Sequence, residues 1–506
     1  MKFPVFAFFL AFLMLGAVSF ASINIDNCTE LNETGETYFL TADITDSEVS
    51  QCMDITADNV SLDCQGYLID GIGSTDSDGI FADGSITAYS NITIKNCMVA
   101  GWMHDVYLYG VNDSVLLNNT LVSSGFDSVG VLLAFVFDAS IEGNNISALG
   151  QQSHGISLSS SSDNVLAFNS IGTFDEFSFA IYLGNSSFNS IASNNLSLSN
   201  YVSVGVTVGD DSNFNNISFN DIATASDSSS GIIVYLSSNN VISFNSIGTV
   251  GEYSYGVYFA SSPDNVVAYN SIVTSGSKAF GVNIVNSSSN LIYNNLFDVV
   301  AGFCFDRNMV ANYWNITQQA GSRVYSSGTQ IGGNYYTNST SNGYSDACTD
   351  ANADGFCDDA YSLLGGVCEG VPLPCENFTD EESCNVQITC VWEADVCVDY
   401  GLATCASYCD PVGCNNHVGC SWNTSVSPDI LNADWLPLSN EYGVLPSGNS
   451  MINLGKNMAA LICILGALFF MMSLMFAEKL TAKQFTERAV YAIMIMVMAL
   501  ALLAML

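Results

Sequence analysis

An acidic tract near residue 350 has the residue types and the spacing of a calcium-binding loop. It runs Asp350-x-Asn352-x-Asp354-Gly355-x-x-Asp358, so oxygen ligands alternate along the chain and the glycine permits a sharp turn. Tyr361 stands where an EF-hand carries its bidentate glutamate, and no amphipathic helix flanks the tract. The alternative interpretation is an acidic, solvated turn. We expect a structural calcium ion to be bound by the four oxygen-bearing side chains of this tract: Asp350, Asn352, Asp354 and Asp358.

A second set of carboxylates could cleave polysaccharides. Glu176, Asp227 and Glu252 occupy the same position of a repeat described below. Asp227 and Glu252 belong to adjacent units, so their backbones would lie roughly 4.8 Å apart, which suits a retaining pair of carboxylates. Glu176 lies two units from Asp227, roughly 10 Å away and near the outer limit for an inverting pair. The repeats contain no arginine, and Lys278 is the only candidate base for β-elimination, so a solvated acidic loop is the stronger interpretation.

Aromatic residues also recur at one position of the repeat, where the side chain should point outward from a strand. Exposed tyrosines aligned along a flat sheet can present a surface to glycans or to partner proteins. The alternative is the ordinary preference of Tyr and Ile for half-exposed strands. The residues predicted to form this binding face are Tyr107, Tyr182, Ile233 and Tyr258.

These side chains are positioned by a repeat of about 25 residues. The tract from Asn164 to Ile171 returns at Asn189, Asn215, Asn240, Asn265 and Asn290, and weaker copies precede it. A second marker opens a short apolar strand in each unit: Gly130, Gly155, Ala180, Gly205, Gly231, Gly256 and Gly281. A fixed period of this length indicates stacked units that cannot bury their apolar faces alone.

Apolar and polar residues alternate with period two inside each unit, and helical periodicity is absent from residues 60 to 300. Three short strands with turns fill about 25 residues, so one unit is one coil of a parallel β-solenoid. A β-sandwich with asparagine-rich turns is the alternative, but its strands would not repeat one sequence in phase. A recurring asparagine should stack at one corner as an amide ladder: Asn119, Asn144, Asn169, Asn194, Asn220, Asn245, Asn270 and Asn295.

The chain resembles the right-handed parallel β-helix proteins of the NosD-like, carbohydrate-binding and sugar-hydrolase type. The segments 57–71 (ADNVSLDCQGYLIDG) and 90–97 (SNITIKNC) are similar to the first coils of that family, and 331–336 (IGGNYY) with 350–355 is similar to the closing segment of archaeal surface members. The resemblance covers residues 55 to 362 and implies the fold. Copper handling does not follow, because His104, His154 and His417 are far apart and the methionines form no cluster.

Charge excludes one class of partner. The chain carries 49 acidic and nine basic residues, a net charge of −40, and only Lys95, Lys278, Arg307 and Arg323 lie between residues 22 and 455. Nucleic acid requires clustered lysines and arginines, so we expect no nucleic-acid partner.

Both ends of the chain are apolar. Residues 1–21 have the pattern of a secretory signal peptide. Residues 457–477 and 489–506 are each long enough to span a hydrocarbon core of about 30 Å. Lys479, Lys483 and Arg488 favour a cytoplasmic position for the loop 478–488. We therefore predict a cell-membrane protein with an extracellular ectodomain and a two-span helical hairpin; a buried hairpin in a soluble domain is the alternative.

Sixteen of the 17 cysteines lie in the predicted exported part, which indicates disulfides. Nine fall in a Cys-rich module at 366–425, distantly similar to plexin-type repeats, and one of these nine is expected to pair with Cys304, Cys348 or Cys357. The acidic tract resembles the calcium loops of thrombospondin-type repeats, which implies a bridge between Cys348 and Cys357. Zinc is the weaker alternative for the module, because paired Cys-x2-Cys sets are missing.

The remaining segments complete the predicted organisation: an N-terminal cap at 22–57, the β-helix at 58–300, a C-terminal cap at 301–365 and a linker at 426–456. Fifteen Asn-x-Ser/Thr sequons indicate a glycoprotein. The candidate acceptors include Asn91, Asn145, Asn216, Asn286, Asn315 and Asn377.

The sequence predicts an all-β, membrane-anchored surface protein that is structural or adhesin-like and binds glycans or surface proteins on its solenoid face. The alternative is a membrane-tethered polysaccharide lyase or glycoside hydrolase. The ligand and the oligomeric state do not follow from the sequence.

Overall fold

A computed structural model describes residues 22–299 and 312–359, together with the backbone of strand 303–305 and of four short strands between 367 and 423. These residues belong to the first of two compact units, Met1–Leu436 and Pro437–Leu506. The predicted signal peptide, the linker and both predicted spans lie outside the described residues. Among the residues that are described, no helix is long and apolar enough to span a membrane.

The chain winds into a parallel β-solenoid with three sheets of 12 strands each, which confirms the predicted right-handed β-helix. We name the sheets A, B and C; from residue 78 onward, each coil visits B, then A, then C. Sheet A contains Ser22–Ile25, Thr37–Leu40, Ser61–Asp63, Thr93–Lys95, Val115–Leu117, Ser140–Glu142, Val165–Ala167, Ser190–Ala192, Asn216–Ser218, Val241–Ser243, Val266–Ala268 and Leu291–Tyr293.

Sheet B contains Thr29–Leu31, Gln51–Ile55, Asp78–Asp83, His104–Tyr109, Val129–Ala134, His154–Ser159, Phe179–Gly184, Val204–Gly209, Ile232–Tyr235, Val257–Ala260, Val282–Val285 and Phe303–Phe305. Sheet C contains Ile44–Ser47, Leu68–Gly71, Met98–Ala100, Thr120–Ser123, Asn145–Ala148, Ser170–Thr173, Asn195–Leu198, Asp221–Thr224, Ser246–Thr249, Ser271–Thr274, Leu296–Val299 and Tyr335–Thr337. The solenoid strands therefore begin at residue 22, inside the segment expected to form the N-terminal cap.

The other elements are short. Tyr89–Ser90 pairs in parallel with Val111–Asn112. Three antiparallel pairs follow: Gln319–Ala320 with Gln330–Ile331, Val367–Gly370 with Cys420–Asn423, and Cys390–Glu393 with Val396–Asp399. A single helical turn, Tyr344–Ala347, lies beside the last strand of sheet C.

Inward side chains of the three sheets form one continuous apolar core along the solenoid axis. The packing around the marker position explains why glycine or alanine occurs there. A Cβ atom added at Gly155 would lie 2.4 Å from Ile171 Cγ2, and one at Gly205 would lie 2.5 Å from Ile222 Cγ2. In these coils only a very small residue fits that inward position, and Ala180 occupies it with no exposure.

The predicted asparagine column is present at the corner between sheets A and C. The Nδ2 atom of each asparagine donates to Oδ1 of the next one, as at Asn220 and Asn245, where the distance is 3.0 Å. The Oδ1 atom also accepts the neighbour's backbone N–H, again at 3.0 Å. This ladder ends on Asn334, to which Asn295 donates at 2.9 Å.

A second asparagine ladder lies at the start of sheet A. Except at Asn265, each side-chain amide donates to Oδ1 of the next member, and the ladder ends on Asn312: Asn164, Asn189, Asn215, Asn240, Asn265 and Asn290. Asn265 donates to Asn290 Oδ1 through its backbone N–H. In the sequence, these residues serve only to define the period. Buried serines form a third column after sheet B, where each backbone N–H donates to the next hydroxyl: Ser161, Ser186, Ser212, Ser237, Ser262 and Ser287.

Disulfides link neighbouring parts of the fold. Cys28 bonds to Cys52 and Cys64 to Cys97 at the first coils. The implied bridge between Cys348 and Cys357 is also present. Since these two cysteines pair with each other, Cys304 is the one remaining partner that we had proposed for the Cys-rich module.

Candidate functional site

The four residues predicted to form a binding face lie in one column on the outside of sheet B. Tyr107 and Tyr182 occupy the same register position in strands that are separated by two other strands of the sheet. Ile233 pairs directly with Tyr258 in the next strand. The residues on either side of each one are fully buried core residues, so the column points away from the axis. All four side chains are half-buried.

Additional rings flank this column, and we call the whole outward surface of sheet B the aromatic face. Tyr107 lies 5.5 Å from Phe81 and 5.2 Å from His104 between ring centroids. Farther along, Tyr182 lies 5.9 Å from Phe179, and Tyr258 lies 5.6 Å from Tyr255. The face is therefore a series of aromatic groups parallel to the solenoid axis.

Two histidines belong to the aromatic face. Nδ1 of His104 lies 2.8 Å from Oδ1 of Asp78. His154 stacks on Phe179, with centroids 4.8 Å apart, and its Nδ1 accepts the backbone N–H of Phe179. Burial lowers the pKa of His154, so it is a neutral ring in this stack near pH 7.

A cluster that sequence reasoning missed lies beside Tyr182. The hydroxyls of Tyr182 and Tyr235 donate to the same oxygen of Asp210, Oδ2, at 3.2 and 3.1 Å, and the two hydroxyl oxygens are 3.1 Å apart. Burial raises the pKa of both tyrosines, so both remain protonated donors. One signal was available: the marker spacing is 26 residues between Gly205 and Gly231.

The carboxylates proposed for catalysis lie in the loop between sheets C and B. Glu176 is half-buried in this loop, two coils before Asp227 and three before Glu252. Asp227 Oδ1 accepts the backbone N–H of Glu252 at 2.7 Å. The Glu252 carboxylate lies 3.5 Å from Lys278 Nζ. Asp227 and Glu252 thus have local partners that organise the loop.

The acidic tract forms an exposed loop bracketed by the Cys348–Cys357 disulfide. Asp350 accepts the backbone N–H groups of Asp354 and Gly355 at 3.2 and 2.8 Å. Asp354 Oδ1 accepts the N–H of Phe356 at 2.9 Å, and Asp358 Oδ2 accepts the N–H of Ala351 at 2.8 Å. Asn352 contributes its Oδ1 to the N–H of Asp354 at 3.0 Å. Backbone amides therefore arrange the oxygen-bearing side chains of the tract.

Four of the glycosylation candidates are exposed: Asn91, Asn145, Asn286 and Asn315. Asn216 is half-buried, and its side chain donates to Ser218 Oγ at 3.3 Å. Asn377 lies outside the described residues.

The chain matches the family model described as periplasmic copper-binding protein (NosD) over residues 22–222 and 172–341. No curated protein sequence matches it significantly. Among solved structures, the Dettilon tailspike protein aligns with a TM-score of 0.42 and 17% identity, covering 53% of this chain and 58% of its own.

Two enzymes are also similar in structure. DFA-IIIase from Arthrobacter chlorophenolicus A6, solved in complex with DFA-III, aligns with a TM-score of 0.41 and 10% identity over 55% of this chain and 84% of its own. The A-module of the mannuronan C-5 epimerase from Azotobacter vinelandii aligns with a TM-score of 0.38 and 16% identity over 57% and 80%.

The described residues do not fit a copper site. Copper requires imidazole, thiolate or thioether ligands brought together. In the described ranges, no three histidine or cysteine side chains are grouped to hold a metal ion. His104 is paired with Asp78, and the six described cysteines outside the backbone-only strands are in disulfides. The family description therefore carries no copper chemistry for this part of the chain.

Proposed function

Since this chain belongs to the NosD family of β-helix proteins, we propose that it is a surface-displayed solenoid whose aromatic face binds glycans or surface proteins. The observation that carries this proposal is the outward column of Tyr107, Tyr182, Ile233 and Tyr258, with its flanking rings. Aromatic side chains offer large, rigid contact surfaces with polar tips, which suits recognition of sugars and of proteins.

The proposed location is the cell surface, with the membrane as a partner through residues 457–477 and 489–506. Three disulfides in the described residues are consistent with an oxidising, extracellular compartment. The acidic composition supports solubility outside the cell and disfavours nucleic acid as a ligand.

Polysaccharide cleavage is the second candidate function. It rests on Asp227 and Glu252, which occupy the same position of the loop between sheets C and B in adjacent coils. Their hydrogen bond and ion pair favour a structural role for both carboxylates. Binding without turnover is therefore the function that the geometry supports better.

A glycan array with the full-length chain, run beside a uronate-cleavage assay, tests the proposal. Tyr107→Ala and Tyr258→Ala should each weaken the binding of any captured glycan. Tyr201→Ala is the matched control, because Tyr201 is an exposed tyrosine in the loop between sheets C and B and does not belong to the aromatic face. If the wild type cleaves uronate polymers and Asp227→Asn or Glu252→Gln loses that activity, the result would instead support the enzyme hypothesis.

A further inference from the structure

One coil of the solenoid carries an extra residue, and the extra residue lies at the edge of the aromatic face. Gly184 pairs with Gly209, 25 residues on, but the serines that follow sheet B, Ser186 and Ser212, are 26 residues apart. The insertion therefore lies between Gly209 and Ser212. It extends the usual one-residue turn to two residues, Asp210 and Asp211, with φ of 54° and 64°.

The insertion places a carboxylate between two tyrosines of the flanking coils. Tyr182 belongs to the preceding strand of sheet B and Tyr235 to the following one. Both hydroxyls donate to Asp210 Oδ2, which leaves Oδ1 without a hydrogen-bond partner among the described residues. Asp210 itself is exposed.

Gly184 and Gly209 occupy the third outward position of two neighbouring strands of sheet B. Because they have no side chain, they leave room for the two tyrosine rings. A Cβ atom at Gly209 would lie 2.0 Å from Cζ of Tyr235, so the ring occupies the space of a side chain there. A Cβ atom at Gly184 would lie 3.1 Å from the ring of Tyr182. The two rings consequently lie close against the sheet, and both side chains remain partly exposed.

A buried polar group lies beneath the cluster. Thr207 occupies the outward column between Tyr182 and Ile233 and is only 3% exposed. Its hydroxyl has no hydrogen-bond partner in the described part of the chain. The cluster thus combines two rings, a carboxylate with a free oxygen and a buried hydroxyl within three adjacent strands.

We infer that Tyr182, Asp210 and Tyr235 form a subsite for an uncharged pyranose unit of a glycan, an inference that rests on the proposed function of the aromatic face. The rings pack against the sugar, and Asp210 Oδ1 accepts hydrogen bonds from its hydroxyls. Hydrogen bonds to a charged acceptor contribute more than those to a neutral one. Uronates are disfavoured, because Asp210, Asp211 and the net charge of −40 repel their carboxylates.

The test is affinity electrophoresis of the full-length chain in gels that contain galactomannan, barley β-glucan, alginate or polygalacturonate. We expect a neutral polysaccharide to retard the wild type and the two uronate polymers to have no effect. Asp210→Asn should weaken retardation by a factor on the order of ten. Deletion of Asp210, which restores the regular turn, should abolish it.

Two controls separate loss of the subsite from loss of the fold. Tyr235→Phe removes only the hydroxyl and should weaken binding while the melting temperature stays unchanged. Asp163→Asn removes an exposed carboxylate with the same left-handed backbone from a turn outside the aromatic face, and it should bind as wild type.

The outcomes distinguish this inference from the proposed function. Wild-type retardation that persists in Asp210→Asn and in the deletion, but is lost in Tyr107→Ala, retains the aromatic face and overturns the subsite. Retardation by alginate or polygalacturonate alone overturns the neutral-sugar assignment. If none of the four polymers, no arrayed glycan and no surface protein binds the wild type, both proposals fail.

Discussion

At the scale of single residues, the buried amides of the asparagine ladders are held by hydrogen bonds to both neighbouring coils. Asn220 illustrates this. Its Nδ2 donates to Asn245 Oδ1 and to the carbonyl of Ile191, and its Oδ1 accepts two bonds from Asn194. The side chain is 1% exposed, so removing it leaves several buried partners without hydrogen bonds.

We expect Asn220→Ala to lower the free energy of unfolding by roughly 1–3 kcal/mol, the cost of buried polar groups left unsatisfied. Chemical denaturation of the purified chain measures this directly. Asn195→Ala is the matched control, because Asn195 is exposed on a strand of sheet C and should change stability little. Equal effects of the two substitutions would show that the ladder contributes nothing beyond ordinary surface contacts.

Asp105 is an exception to the rule that glycine or alanine occupies the marker position of each coil. It occupies the inward position that is glycine or alanine in other coils and is 0% exposed. Burial raises its pKa well above the usual value, and neither of its carboxyl oxygens has a hydrogen-bond partner in the described part of the chain. The folded state therefore holds a proton that the unfolded state releases near pH 4.

A raised folded-state pKa means that this group's contribution to stability is fully present below the unfolded pKa and is lost as pH rises toward the folded one. Asp105→Asn, which is uncharged at every pH, should therefore melt like wild type at pH 3 and higher than wild type at pH 7. Melting curves across this range provide the measurement. A constant difference between the two proteins would mean that Asp105 does not change protonation on folding.

At the scale of elements, aromatic rings stack along the corner between sheets A and C. Phe244 lies 4.9 Å from Phe219 and 4.6 Å from Tyr269 between centroids. All three have positive φ, which is unusual for bulky residues. Ring stacking between coils offsets part of the cost of that conformation.

Phe244→Ala should therefore destabilise by about 0.5–1.5 kcal/mol for each ring pair lost. Phe168→Ala is the control, since Phe168 occupies the same corner with φ of 57° and 68% exposure but stacks on no ring in the described chain. Thermal unfolding of both variants gives the comparison. If Phe168→Ala costs as much as Phe244→Ala, stacking is not the stabilising contact.

The acidic tract is the other element with a proposed role, and we propose that it binds a structural calcium ion. Chelation of calcium should then lower the melting temperature of the C-terminal cap, and copper or zinc should not restore it. The solenoid should stay folded, because its coils depend chiefly on their nearest neighbours.

Asp354→Ala should lose this calcium dependence, because it removes one carboxylate from a site without the twelfth-position glutamate. Asp359→Ala, just beyond the tract, should retain it. Calorimetry with and without calcium distinguishes the two variants. Identical melting of wild type and Asp354→Ala under both conditions would reduce the tract to an acidic turn.

At the scale of the whole molecule, the repeat pattern predicted the solenoid and one asparagine ladder, but not the second ladder or the serine column. The period of about 25 residues, with its alternating pattern, was sufficient for three strands per coil and for the ladder through Asn169. The second ladder through Asn164 was overlooked, although its residues mark the period equally well. Serine columns are hard to recognise because serine is abundant here at exposed positions as well.

The Asp210 cluster could not be predicted, because it depends on the directions of side chains from three different coils. The 26-residue spacing shows that a residue was inserted, but it does not show that two tyrosines turn toward it. Likewise, the period places Asp227 and Glu252 in neighbouring coils without revealing that one accepts the backbone amide of the other.

Membrane anchoring is the prediction at this scale. The full chain should partition with membranes, and a chain truncated before Gly455 should be released in soluble form. Protease added to intact cells should cleave between Cys368 and Trp422 and spare Lys479 to Arg488. Cleavage of the latter segment from outside would reverse the proposed topology.

The ladders also govern how such a molecule can change in length during evolution. Ladder asparagines such as Asn220 bond to their counterparts and to a backbone carbonyl of an adjacent coil, so loss or duplication of one whole repeat reconnects both ladders and all three sheets. A deletion of ten residues would misalign every column at once. The solenoid can therefore lengthen or shorten only in steps of one coil, roughly 4.8 Å. Recombination between repeats would change the length of the aromatic face while the chemistry of each coil stays the same.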